Sequence, residues 1–204
     1  MFTYNINGKA SRHFTYADLI NCGTTAILNQ IENLPQQPET WRALSLLATQ
    51  ILDPIVDQFG PISLTYGFCS PELARLIAKN RNPHIAPKLD QHCAYELNQN
   101  QKLICDRLGA ACDFTVLNNP ASTSSDIQAD KPVDMQQVTA WICENLKFDR
   151  LYYYGKDRPL HISIGPQMNQ FVQTMKTNTD TGHRVPSKKG RDAVALTVIQ
   201  NVDY

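Results

Sequence analysis

The feature that most constrains this chain is the stretch from Thr40 to Val56. There Trp41, Leu44, Leu47, Ala48, Ile51, Leu52 and Ile55 fall on one stripe at helical spacing. A helix of that length gains most of its stability by burying such a stripe, so it needs an apolar surface to cover it. Pro54 has no backbone N–H to donate, and its position predicts a kinked or separate last turn. The covering surface is written in short alternating segments. Ile62 to Tyr66 alternates apolar and polar residues between Gly60-Pro61 and Gly67. Ala110 to Leu117 sets Cys112, Phe114 and Val116 on one face and Ala111, Asp113 and Thr115 on the other. Leu151 to Tyr154 and Leu160 to Ile164 give two further strands, and Ala193 to Val202 reads as a last one.

Helix starts punctuate the strands. Thr15 or Asp18 opens a short helix through Ile20, and Ser70-Pro71-Glu72 supplies an N-cap followed by proline at the first helical position. Asp134-Met-Gln-Gln137 resembles a capping box ahead of Val138, Trp141, Ile142 and Leu146. Polar connectors occupy 33–39, 82–102 and 118–131, and 169–191 reads as a polar region without a strong period. The order predicts a small α+β domain with an antiparallel sheet and helices packed on one side. A chain of 204 residues fits one such domain, 1–204.

Composition narrows the class. Nineteen basic residues balance nineteen acidic ones, so the chain lacks the charge footprint of a duplex-binding protein and no nucleic-acid partner is expected. No apolar run approaches the ~20 residues of a membrane span, and the polar first ten residues do not read as a secretory signal. Six cysteines occur without a C-x-x-C pair, which points to reduced thiols and a cytoplasmic setting.

Three polar residues stand where strand patterning favours something else. His161 lies inside Leu160-His-Ile-Ser-Ile164, on the side opposite Leu160, Ile162 and Ile164. Asp113 sits in mid-strand, where Asp is depleted. His92 ends Asp90-Gln-His92, in the loop before that strand. Two histidines and an aspartate from neighbouring strand ends could form a three-ligand zinc site with an open position. Such a site lowers the pKa of water to about 7. A satisfied strand histidine and a solvated aspartate account for the same residues.

Tyr66-Gly-Phe-Cys-Ser-Pro-Glu-Leu73 resembles the S-G-Y-R-S-P-x-L segment of the D-alanyl-D-alanine carboxypeptidase family of zinc peptidases, related in fold to the hedgehog signalling domain. Asp90-Gln-His92 is similar to that family's S-x-H, Arg107-Leu-Gly-Ala-Ala-Cys-Asp113 to its x-x-G-x-A-x-D, and Leu160-His161-Ile-Ser to its final histidine strand. The likeness spans roughly 14–166, leaving 167–204 as a C-terminal extension ending in a strand. It implies a hedgehog/DD-peptidase-like fold and Zn2+ held by His92, Asp113 and His161. The implied activity is hydrolysis of a peptide or peptidoglycan-like substrate at an amide bond.

The chain departs from that pattern in three places. About fourteen residues, Cys93 to Asp106, separate His92 from the rest of the motif, and an alignment without this insertion makes Asp106 the first ligand instead. Cys69 stands where the family has the Arg that holds a substrate carboxylate; Ser70 remains, and Arg107 or Arg75 is a substitute. Arg158 stands where the family has its general base, with Asp157 the nearest carboxylate in sequence. The sequence therefore supports a zinc hydrolase with Asp157 as base, or a binding module that recognises a peptide or protein partner without turnover.

Overall fold

The computed structural model describes residues 4–21, 23–80, 85–117, 133–180 and 182–200. Helix α1 (Tyr16–Ile20) opens on a reciprocal cap: Asp18 N donates to the Thr15 hydroxyl, and Thr15 N donates to the Asp18 carboxylate. After the single turn α2 (Thr25–Leu28), the apolar stripe becomes α3 (Pro38–Leu47), a π-helical turn over Ala48–Leu52, and α4 (Asp53–Phe59). The disturbance expected at Pro54 thus lies just ahead of it. Widening the turn relieves the missing N–H and the ring's clash with the preceding turn. The stripe stays continuous through it, with Leu47, Ala48, Ile51, Leu52 and Ile55 all fully buried.

The remaining elements are β1 (Ile62–Tyr66), α5 (Pro71–Ile77), β2 (Ala110–Val116), α6 (Met135–Asn145), β3 (Arg150–Tyr153), β4 (Leu160–Ile164), β5 (Phe171–Thr177), β6 (Arg184–Arg191) and α7 (Ala193–Gln200). The six strands form one sheet in the order β1-β2-β4-β3-β5-β6. Cys112, Phe114, Leu151, Tyr153, Leu160, Ile162 and Val172 supply its apolar face. That face packs against Trp41, Leu44 and Ile55 of α3 and α4, Val138 and Ile142 of α6, and Val198 and Ile199 of α7.

Three expectations are corrected. The sheet is mixed: β3 pairs antiparallel with β4 but parallel with β5. The chain reverses after β4 and passes to the far side of β3, so a strand antiparallel to β4 must run parallel to β3. The polar region 169–191 holds two strands, β5 and β6. Residues 193–200 form a helix rather than a closing strand, burying Ala195, Val198 and Ile199 at helical spacing. The connector expected over 118–131 lies outside the described residues. No helix among the described residues is long and apolar enough to cross a membrane.

Residues 85–109 contain no helix or strand of their own, yet they are packed tightly. Leu97 and Leu103 form an isolated bridge. Glu96 is fully buried, and its Oε1 accepts from Gln36 N, Gln37 N and the Thr40 hydroxyl at 2.8–3.1 Å. The carboxylate therefore caps the start of α3 from a distant loop, a favourable place for negative charge. Burial pushes its carboxyl pKa up, against these three donors. Glu96→Ala is expected to cost about 2 kcal/mol, because it strands the buried Thr40 hydroxyl and two part-buried N–H groups, and Glu96→Gln about 1, because one acceptor oxygen remains. Urea unfolding of the two variants beside the wild type measures the difference.

Candidate metal centre

The pairing of β2 with β4 sets Asp113 directly opposite His161. Alternation turns both away from the face that carries Cys112, Phe114, Leu160 and Ile162 into the helices. His161 Nδ1 lies 2.7 Å from Asp113 Oδ1. His92 comes from the irregular segment, and its Nε2 lies 3.4 Å from the same oxygen. The two imidazoles meet edge to face at 5.1 Å between centroids, and all three side chains are buried. Tyr152, paired with His161 across the β3–β4 ladder, stacks its ring on the imidazole at 4.8 Å.

The loop that carries His92 is held at several points. His92 Nδ1 donates to the Gly67 carbonyl at 2.8 Å, and Cys69 N donates to the His92 carbonyl at 3.0 Å. Gly67 is required where it stands, because a Cβ there would strike the carbonyls of Leu19 and Asn21. Gln91 Nε2 reaches the carbonyls of Leu108 and Ile164 and the Asp149 carboxylate, while the Ser163 hydroxyl donates to Gln91 Oε1. Gly109, at φ +88, brings the segment into β2 where any side chain would collide with the Ile164 carbonyl.

These contacts also fix the electrostatics. A carbonyl only accepts, so the His92 bond to Gly67 requires a proton on Nδ1 and turns Nε2 toward Asp113. Burial works against charge on Asp113, yet the field of His92 and the hydrogen bond with His161 hold its carboxyl far below the usual range. An anionic oxygen and an imidazole nitrogen at 3.4 Å need a proton or a cation between them. One donor atom from each of His92, Asp113 and His161 lies within 4.8 Å of the others, so the triad could hold a metal ion. Tetrahedral coordination with bonds of about 2.0–2.1 Å places donors about 3.4 Å apart, close to the His92–Asp113 separation.

Other residues singled out in the sequence take varied positions. Asp106 is exposed and outside the triad; His92 is the residue brought to Asp113 and His161. Ser70 is buried as the N-cap of α5, its hydroxyl accepting from Leu73 N, which gives it a structural task in place of an open substrate contact. Cys69 is buried, and Arg75 is exposed on α5. Arg107 Nη1 donates to the Leu89 carbonyl and to the Tyr152 hydroxyl, which brings it to the rim of the triad. Asp157 and Arg158 lie exposed in the β3–β4 turn. Among the described residues Cys69, Cys93, Cys105, Cys112 and Cys143 form no disulfide.

Sequence reasoning missed Gln91, the fastening of the loop to the sheet, and Asp90. The Asp90 carboxylate is buried; one oxygen accepts from Ala86 N and the other has no hydrogen-bond partner among the described residues. Tyr154 is also part of this neighbourhood. Burial, followed by the fields of Asp113 and Asp90, pushes its phenol pKa up. Polar residues in a loop carry no period that would reveal such roles. Compared with models of known families, with curated proteins and with solved structures, the chain gives no match.

Two outcomes test the triad. Zinc equilibration followed by elemental analysis should find about one ion per chain in the wild type, and His92→Ala or His161→Ala should lose it. Asp113 is ionised more readily in the folded than in the unfolded state, so its contribution is complete above the ordinary carboxylate range near pH 3.9. It is lost only as pH falls through the depressed folded value. In metal-free protein, Asp113→Asn should therefore lower stability at pH 6 and narrow its gap to the wild type in strong acid, measured by thermal unfolding across pH.

Proposed function

We propose that the chain is a zinc-dependent hydrolase of a peptide or related amide bond, with a hedgehog/DD-peptidase-like fold. The observation that carries this reading is the convergence of two buried imidazoles on one buried carboxylate, supported by the order of the short motifs around them. His92, Asp113 and His161 would hold the ion, which when bound supplies Lewis acidity toward a carbonyl and eases ionisation of water near neutral pH.

The protein's own groups do the rest. The Gly67 carbonyl fixes the His92 tautomer, and Tyr152 holds the plane of His161. Arg107, on the Tyr152 hydroxyl, offers a permanent cation to the charged end of a substrate. Asp157 serves as the proton acceptor from the hairpin turn that leads into β4, reaching the substrate from its exposed position. The exposure of Asp157, with Arg158 beside it, also favours a second reading, a metal-containing module that binds a peptide or protein without turnover.

Zinc-loaded protein should release amine from peptidoglycan fragments or plain peptides, and chelation should abolish the release. Asp157→Asn should lower kcat by ~10²–10⁴-fold with the zinc content unchanged. Unaltered turnover in that variant removes Asp157 from the mechanism. A zinc-loaded wild type inert on every substrate selects the binding module.

A further inference from the structure

Cross-strand register carries the face of the metal triad outward across the sheet. One row runs Asp113, His161, Tyr152, Gln173, Lys189, and the next runs Ala111, Ser163, Arg150, Phe171, Arg191. Paired residues share a face, so both rows lie on the side away from the helices. At β4 this face is closed, with Ser163 fully buried beneath Gln91. From β3 outward it opens: Arg150, Phe171 and Gln173 are half-buried, and Lys189 and Arg191 are exposed.

The outer part of this face is cationic. The Arg150 guanidinium lies 4.8 Å from the Phe171 ring centroid and that of Arg191 lies 5.7 Å from it, so two like charges share one ring. Arg150 Nε forms a long ion pair with the Asp149 carboxylate at 4.0 Å, and that carboxylate also accepts from Asn169 and Gln91. Arg150 Nε is buried without a hydrogen-bond partner among the described residues. Among the described residues Arg191 has no carboxylate within ion-pair distance, and neither row carries an acidic residue beyond Asp113. Two guanidiniums on one ring against a single carboxylate leave this part of the face with uncompensated positive charge, which favours an anion.

Aromatic coverage selects the kind of anion. A single-stranded nucleic acid needs open rings on which bases stack. Here Tyr152 is stacked on His161, Phe171 carries the two guanidiniums, and Tyr154 lies beneath Arg184 at 5.6 Å. None of these rings is left free as a platform. We propose that Arg150 and Arg191, bracketing Phe171, form a subsite for an acidic side chain of an extended peptide whose scissile bond lies at the triad. The proposal rests on the peptide-hydrolase reading and adds the substrate class. Phe171 stands two strands and two residues from His161, roughly 12 Å at ordinary sheet spacings, which an extended peptide covers in about three or four residues.

The test measures binding separately from turnover. Fluorescent decapeptides carrying one Glu three or four positions to either side of the central bond, and their Gln counterparts, are titrated by anisotropy with the zinc-supplied full chain. One Glu peptide should bind about tenfold more tightly than its Gln counterpart, with the difference shrinking as salt rises. Arg191→Gln, at an exposed position, should erase the difference, and Lys79→Gln on the surface after α5 should preserve it. Equal affinity for the Glu and Gln peptides in the wild type, or a preference that survives Arg191→Gln, overturns the subsite. Tighter binding of a decathymidylate than of any Glu peptide overturns the choice of peptide. Acid preference with no cleavage leaves the subsite standing and removes only the hydrolase reading.

Discussion

The register of β2 against β4 is the constraint from which the rest of this site follows. Antiparallel pairing places Asp113 opposite His161, and the period of two then sends Cys112, Phe114, Leu160 and Ile162 into the helices. A slip by one residue would bury the carboxylate among the helices and expose the aromatic core. The apolar face therefore enforces the polar geometry. The hydrophobic stabilisation of packing the helices on this sheet, at ~25 cal/mol per Å² of apolar surface, is what holds a histidine and an aspartate 2.7 Å apart in a buried place.

The third member of the triad depends on a different kind of force. His92 lies on no strand, and its segment is fixed by polar contacts: Gly67 and Cys69 on the backbone side, Gln91 and Ser163 on the sheet side, Glu96 at the start of α3. Each of these groups is buried with its partners, so loosening one leaves unsatisfied polar atoms that water cannot reach. The loop is thereby as well placed as a secondary-structure element without being one. Gln91 serves two purposes, tying the loop to the end of β4 and to the Asp149 carboxylate, which is also the ion-pair partner of Arg150.

Much of the fold was legible because its central elements are buried on a defined face. The stripe from Trp41 to Ile55, the Ser70 and Asp134 caps, and the alternation in β1, β2 and β4 each correspond to an element of the structure. The outer strands escaped notice for the converse reason. β5 buries only Val172 and Thr174, and β6, at the sheet edge, is mostly exposed and contains Pro186, so neither carries a clean alternation. The run Ala193–Gln200, rich in β-branched residues, suits a strand locally. It becomes a helix because the left-handed turn at Asp192 directs it onto α6 and the apolar face of β5 and β6.

The sequence by itself determined the α+β class, the polar positions Asp113 and His161 within apolar strands, and the candidacy of His92, since residue type and period are local properties. Tertiary structure brought His92 rather than Asp106 to Asp113 and His161, made Ser70 a helix cap, and set Asp157 in an exposed turn. It also brought Arg150 and Arg191 to the one Phe171 ring, through a parallel and an antiparallel strand pair that no local pattern encodes. The physical reason is common to all of these. Hydrophobic periodicity specifies which face of an element is buried, whereas the meeting of polar groups from distant segments depends on register and loop path.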